Sequence, residues 1–124
     1  MRVNGAKSIL IVEDNDDARQ MMAAVLTLGG HVVRAARDGQ GGLAIAATTL
    51  PDIALIDISL PDMDGYELAR RLRARHNGHR VALVAVTGFG QQEDQRRALE
   101  AGFDAHVVKP VSAERLEQLL ADLG

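Results

Sequence analysis

The chain has 124 residues, 47% of them hydrophobic and 25% charged, with a formal net charge of −3. That length suits one domain with a single core, and the acidic balance argues against a nucleic-acid surface as its main business. Without cysteine there is no disulfide framework, no thiolate nucleophile and no Cys-based zinc site.

No apolar run approaches the about 20 residues needed to span a bilayer. "MRVNGAKS" followed by five apolar residues is not a signal peptide, so a cytoplasmic location is expected. Tyr66, Phe89 and Phe103 are the only aromatics, which makes the expected core aliphatic.

"ILIV" (9–12) predicts a first strand, followed by the acidic "EDNDD" of Glu13 to Asp17. Ala18, Met22 and Val25, with Met21 and Leu28 beside them, recur at helical spacing and predict a first helix, ended by Gly29–Gly30. "HVVRAA" (31–36) predicts a second strand, and Leu43, Ala46 and Ala47 a second helix that stops before Pro51. "IALI" (53–56) reads as a buried third strand, and Asp57 follows it directly. Tyr66, Ala69 and Leu72 mark a third helix, broken at Asn77–Gly78. "VALVAV" (81–86) predicts a fourth strand leading to Thr87 and Gly88. A largely polar helix around 92–101, with only Ala98 and Leu99 as its apolar positions, ends at Gly102. "AHVV" (105–108) predicts a fifth strand leading to Lys109 and Pro110, and Leu116, Leu119, Leu120 and Leu123 mark a last helix.

Five β–α units with short connections predict an α/β, doubly wound, five-stranded parallel sheet of order 2-1-3-4-5. Residues 1–124 read as one domain, with a core of about 8–123, no internal repeat and no second domain. In such sheets functional groups gather at the C-terminal ends of the strands. Asp14, Asp57, Thr87 and Lys109 are expected to converge there. Ionised groups are costly to bury without partners, and this cluster explains Asp57: three carboxylates and an ammonium share a site. Oxygen-rich clusters suit Mg²⁺, held by one or two carboxylates and waters. A carboxylate can also be a nucleophile that forms an acyl phosphate. Phosphoryl transfer needs positive charge on the equatorial oxygens, which Lys109 supplies, while Thr87 supplies a hydroxyl and Gly88 leaves room.

The acidic pair Glu13–Asp14, Asp57 with "LPDMDG" after it, Thr87, and "KP" at 109–110 stand in order at strand ends. Together they resemble the receiver domain of two-component response regulators, over Ser8 to Leu123. The resemblance implies a flavodoxin-like (βα)5 fold and a phosphorelay switch, with Asp57 as phosphoacceptor and slow hydrolysis of the product. It implies Mg²⁺ held by Asp14, Asp57 and the Ser59 backbone carbonyl, with Glu13 acting through water. Thr87 and Lys109 would bind the phosphoryl group, and the Lys109–Pro110 bond would be cis. The implied partner is a histidine kinase or a histidine phosphotransfer protein, and the implied chain is a monomer or weak dimer without an output domain. One position departs from the family: its switch aromatic is His106 here, which is smaller and more polar. "TGFG" (87–90) further resembles receivers that are free-standing or are attached to, or serve, hybrid histidine kinases.

The competing readings are weaker. A pseudo-receiver that only binds partners would not need every reacting residue. A flavin-binding protein would want Gly, Ser and Thr where "EDNDD" stands, and a haloacid-dehalogenase-type phosphatase would want Asp at Ser59. Asp16 and Asp17 favour the positive end of the first helix; Asp62 and Asp64–Gly65 read as turn and helix-start chemistry. An EF-hand fails on Leu60 and Arg71, and Glu93 denies Gly88 and Gly90 a dinucleotide fingerprint. "RRLRARHNGHR" (70–80) lacks interleaved aromatics and reads as the outer face of the third helix, and His76 and His79 lack further ligands nearby.

Overall fold

Aliphatic runs too apolar to face water on either side build the middle of the molecule. In the computed structural model, which describes residues 5–75, 77–88 and 95–123, these runs are β1 (Ser8–Val12), β3 (Ile53–Asp57) and β4 (Ala82–Thr87). Beyond the first residue of β1 and of β4, all three are buried throughout, as expected of parallel strands covered on both faces. The flanking strands are β2 (Val32–Ala36) and β5 (Ala105–Val108). All pairs are parallel and the order is β2-β1-β3-β4-β5, as the sequence predicts.

The helices α1 (Asp16–Leu28), α2 (Gly39–Thr48), α3 (Gly65–Arg73), α4 (Gln95–Ala101) and α5 (Ala113–Leu123) cover both faces. One core layer joins Leu68, Leu72 and Phe103 to Leu10, Ile56 and Leu83. The other joins Met22, Leu26, Leu116 and Leu119 to Ile11, Leu55 and Val84. Side-chain caps start α1, α2 and α3: Asn15 accepts from the Ala18 N–H, Asp38 from Gly41 and Asp64, the helix start expected from sequence, from Glu67. Among the described residues, no helix is long and apolar enough to cross a membrane.

Two helical stripes differ from the sequence reading. On α1 the buried residues are Met22 and Leu26, whereas Leu28 is 89% exposed, because the seam follows i, i+4 and Leu28 lies past it. On α2, Ala47 is exposed and Gly42 is buried; a Cβ on Gly42 would lie 2.8 Å from Val12 Cγ2, so the glycine lets α2 approach β1 closely.

Arg73 also departs from the expected outer face. Its guanidinium donates to the carbonyls of Gly78 (2.9 Å), Val81 (2.7 Å) and Gly102, and to the Asp104 carboxylate (3.1 Å). The proposed loop residue His76, together with Phe89, Gly90 and Glu93, lies outside the described residues.

Candidate functional site

Register alone assembles the site. Val12 pairs with Ile56, so Glu13 and Asp57 leave neighbouring strands side by side. Asp57 pairs with Val86, which brings Thr87 one step beyond it. Thr87 pairs with Val108, which delivers Lys109, and the Lys109 N–H donates to the Thr87 carbonyl at 2.7 Å. Beneath the end of β3, Gly65 starts α3 so close that a Cβ would lie 2.8 Å from the Asp57 carbonyl oxygen.

Asp57 is only 3% exposed. Its Oδ1 accepts the Ser59 N–H at 2.9 Å, and its Oδ2 accepts from Lys109 Nζ at 3.1 Å. Glu13 is fully buried. Its Oε2 accepts the Asn15 N–H at 3.1 Å, while Oε1 lies 2.9 Å from Lys109 Nζ. That second contact is an ion pair, and among the described residues Oε1 is a buried oxygen with no hydrogen bond. Asp14 is exposed at the rim, and one carboxylate oxygen each from Glu13, Asp14 and Asp57 lie within 4.8 Å of one another.

The charges are unequally matched. Burial raises the Glu13 carboxyl above its ordinary 4.5; Lys109 and the Asn15 N–H pull it back only in part, and Asp57 adds to the rise. Burial pulls the Lys109 ammonium down, but its contacts with Glu13 and Asp57 outweigh this and hold it above its ordinary 10.5. One ammonium therefore faces three carboxyl groups. A hard divalent cation among these oxygens would correct the imbalance and add a second cation near Glu13 Oε1, which Lys109 alone now faces, so the donor set fits Mg²⁺.

Thr87 is buried at the end of β4, and its hydroxyl donates weakly to the Val107 carbonyl at 3.3 Å. The Lys109–Pro110 bond is cis. Ser59 is exposed, with its N–H turned to Asp57. His106 is exposed on β5 and pairs in register with Ala85.

Sequence reading missed the residues that support this cluster. Arg19, on α1, reaches back to the Glu13 carbonyl at 3.0 Å and to Asp16 at 2.6 Å. Asp62 does more than shape a turn: it accepts the Gly39 and Gln40 N–H groups at 2.8 and 2.9 Å, tying the loop after β3 to α2. Arg97 on α4 pairs with Asp64 at 3.1 Å and stands 4.2 Å above the Tyr66 ring. Apart from the Arg19–Asp16 pair at i, i+3, no local pattern announces such contacts, since their partners are backbone groups or lie far away in sequence.

Residues 9–121 match the response regulator receiver domain, and the chain belongs to that family. Among its relatives is the polar-differentiation response regulator DivK of Brucella anthropi, 31% identical over 119 residues that cover 95% of this chain and 97% of DivK. The sensor histidine kinase RcsC of Salmonella typhi is 36% identical over 118 residues; these cover 95% of this chain but 12% of the kinase. Among solved structures, the receiver domain of the sensor histidine kinase PA1611 from Pseudomonas aeruginosa has a TM-score of 0.85 and 33% identity, covering 95% of this chain and 97% of that one. That receiver carries a magnesium ion coordinated in its active-site cleft. Receiver domains are signalling modules of two-component systems, typically phosphorylated on aspartate, and interact with histidine kinases or phosphotransfer proteins.

Proposed function

We propose that this receiver accepts a phosphoryl group on Asp57 from the phosphohistidine of a kinase or phosphotransfer partner, with Mg²⁺ required. The observation that carries the reading is the buried Asp57 carboxylate, held at both oxygens and set among Glu13, Asp14 and Lys109. In transfer, an Asp57 carboxylate oxygen forms a bond to phosphorus as the partner's N–P bond breaks, and the departing imidazole takes up a proton. In the slower reverse of activation, water attacks the phosphorus, the Asp57 O–P bond breaks, and inorganic phosphate leaves.

Asp14, Asp57 and the Ser59 carbonyl would hold Mg²⁺, with Glu13 acting through water. The ion would supply positive charge against the incoming phosphoryl oxygens. Lys109 keeps its charge and lies within reach of the same oxygens. The Thr87 hydroxyl, weakly engaged at 3.3 Å, turns from Val107 to a phosphoryl oxygen. Residues 1–124 act as one receiver domain with its core over about 8–123. The partner docks over α1, where a groove of about 520 Å³ lined by Met21, Met22, Val86, Lys109, Pro110 and Val111 opens beside the site. Met21 is 37% exposed at its rim, an adaptable apolar contact.

Incubation with Mg²⁺ and a small phosphodonor, read by intact mass, tests the proposal. One phosphoryl adduct on the wild type, none on Asp57→Asn and none in chelator is the expected outcome. Equal modification of the variant, or full modification in chelator, would overturn it.

A further inference from the structure

The Arg19 guanidinium makes two contacts that straddle Asp14. Nη1 donates to the backbone carbonyl of Glu13 at 3.0 Å, and Nη2 to Asp16 Oδ1 at 2.6 Å. The side chain is 18% exposed, so it is packed as well as paired, although Asp16 is open to solvent at 63%. The connection between β1 and α1 runs from Glu13 to Asn15, and Asp16 opens α1, so one planar group grips the start of the segment that carries Asp14 and the helix residue that follows it.

That grip has a force to oppose. Carboxylate oxygens of Glu13, Asp14 and Asp57 lie within 4.8 Å of one another, and like charges at that range repel. Lys109 contacts Glu13 and Asp57 but has no contact with Asp14 among the described residues. Asp14 is exposed, so packing does not hold it near Asp57, and among the described residues no ion pair does either. The Asn15 N–H on Glu13 secures one side of the loop and Arg19 closes the other. Arginine suits this role because its rigid fork serves two acceptors in one geometry, which an ammonium cannot copy.

We infer that Arg19 is a positioning residue for the metal centre: it holds Asp14 at the distance from Asp57 that Mg²⁺ requires, without touching the metal itself. The inference rests on the proposed Mg²⁺ site. It makes a prediction whose sign separates it from simple electrostatics. Removing a positive charge near a cation site should tighten cation binding; removing a positioning residue should weaken it. Loss of such supporting contacts commonly weakens metal binding by about 10- to 100-fold.

The test is an NMR titration of metal-free protein with Mg²⁺ alone, comparing wild type, Arg19→Met and Arg19→Lys, with melting temperatures measured in parallel. Arg19→Met should bind Mg²⁺ about 10-fold more weakly, and Arg19→Lys, which keeps the charge and loses the fork, should fall between it and wild type. A merely structural role would lower the melting temperature and leave the affinity alone. Arg19→Lys binding as tightly as wild type would overturn the inference, as would tighter binding by Arg19→Met; the lysine variant decides if the methionine one fails to fold. A wild type that binds no Mg²⁺ would instead overturn the site reading on which the inference stands.

Discussion

Asp57→Asn should stabilise the metal-free protein. At an effective dielectric constant near 20, two unit charges at 4.8 Å, the outer limit of these oxygen separations, repel by about 3.5 kcal/mol, so Glu13 and Asp14 together oppose the Asp57 charge by about 7 kcal/mol. Lys109 Nζ, 3.1 Å from Oδ2, returns about 5 kcal/mol on the same scale. Asparagine can keep the Ser59 N–H bond, but its other half presents an amide or an unpaired oxygen to Lys109, which costs about 1 kcal/mol. The difference favours the variant by about 1 kcal/mol. For 124 residues this raises the melting temperature by about 4 °C. The assay is a thermal melt in chelator, at pH 8 and low ionic strength because Asp14 is exposed and its repulsion is screened by salt. With Mg²⁺ the order should narrow or invert, since a ligand that binds only the native state adds RT ln(1 + [L]/Kd) and the wild type has the better site. A metal-free Asp57→Asn that melts at or below wild type would refute the reasoning.

Two further outcomes are expected. Burial raises the Glu13 pKa in the folded state, so its share of stability is present below the ordinary value of 4.5 and is lost as pH rises through the folded value. Denaturant melts in chelator should therefore show a decline above that range which Glu13→Gln abolishes; an unchanged slope would contradict it. Asp16, Asp62 and Glu67, whose values are lowered, act in the opposite sense and lose their share as pH falls through theirs. His106 is exposed, so His106→Ala should change stability by less than about 0.5 kcal/mol and leave phosphorylation of Asp57 intact; a His106 ring that moves inward when a phosphoryl mimic binds would show instead that it takes part in the switch.

The sheet and its order were legible because the strands are short apolar runs between clear breaks, and a polar or charged residue directly after each run marks its C-terminal end. That is how Asp14, Asp57, Thr87 and Lys109 could be grouped before any distance was known. Helix phase was harder: Leu28 is as apolar as Leu26, and only the packing of α1 decides which is buried. Arg73 was the larger surprise. It stands in an arginine-rich stretch that looks like a solvated face, yet it serves three backbone carbonyls, and a carbonyl has no signature in sequence. Arg19 escaped notice for the same reason.

The four acceptors of Arg73 come from distant places: Gly78 and Val81 precede β4, while Gly102 and Asp104 lie 29 and 31 residues further along than Arg73 itself. Asp104 also accepts the Leu83 N–H at 2.8 Å, so β4 is tied into the same knot. The end of α3, the entry to β4 and the turn before β5 therefore cannot loosen one at a time. Under native-state hydrogen exchange, the backbone amides of these three segments should open as one cooperative unit, at the end of the sheet opposite Asp57. The half of the molecule that carries the acidic cluster thus stands on a base that opens only as a whole.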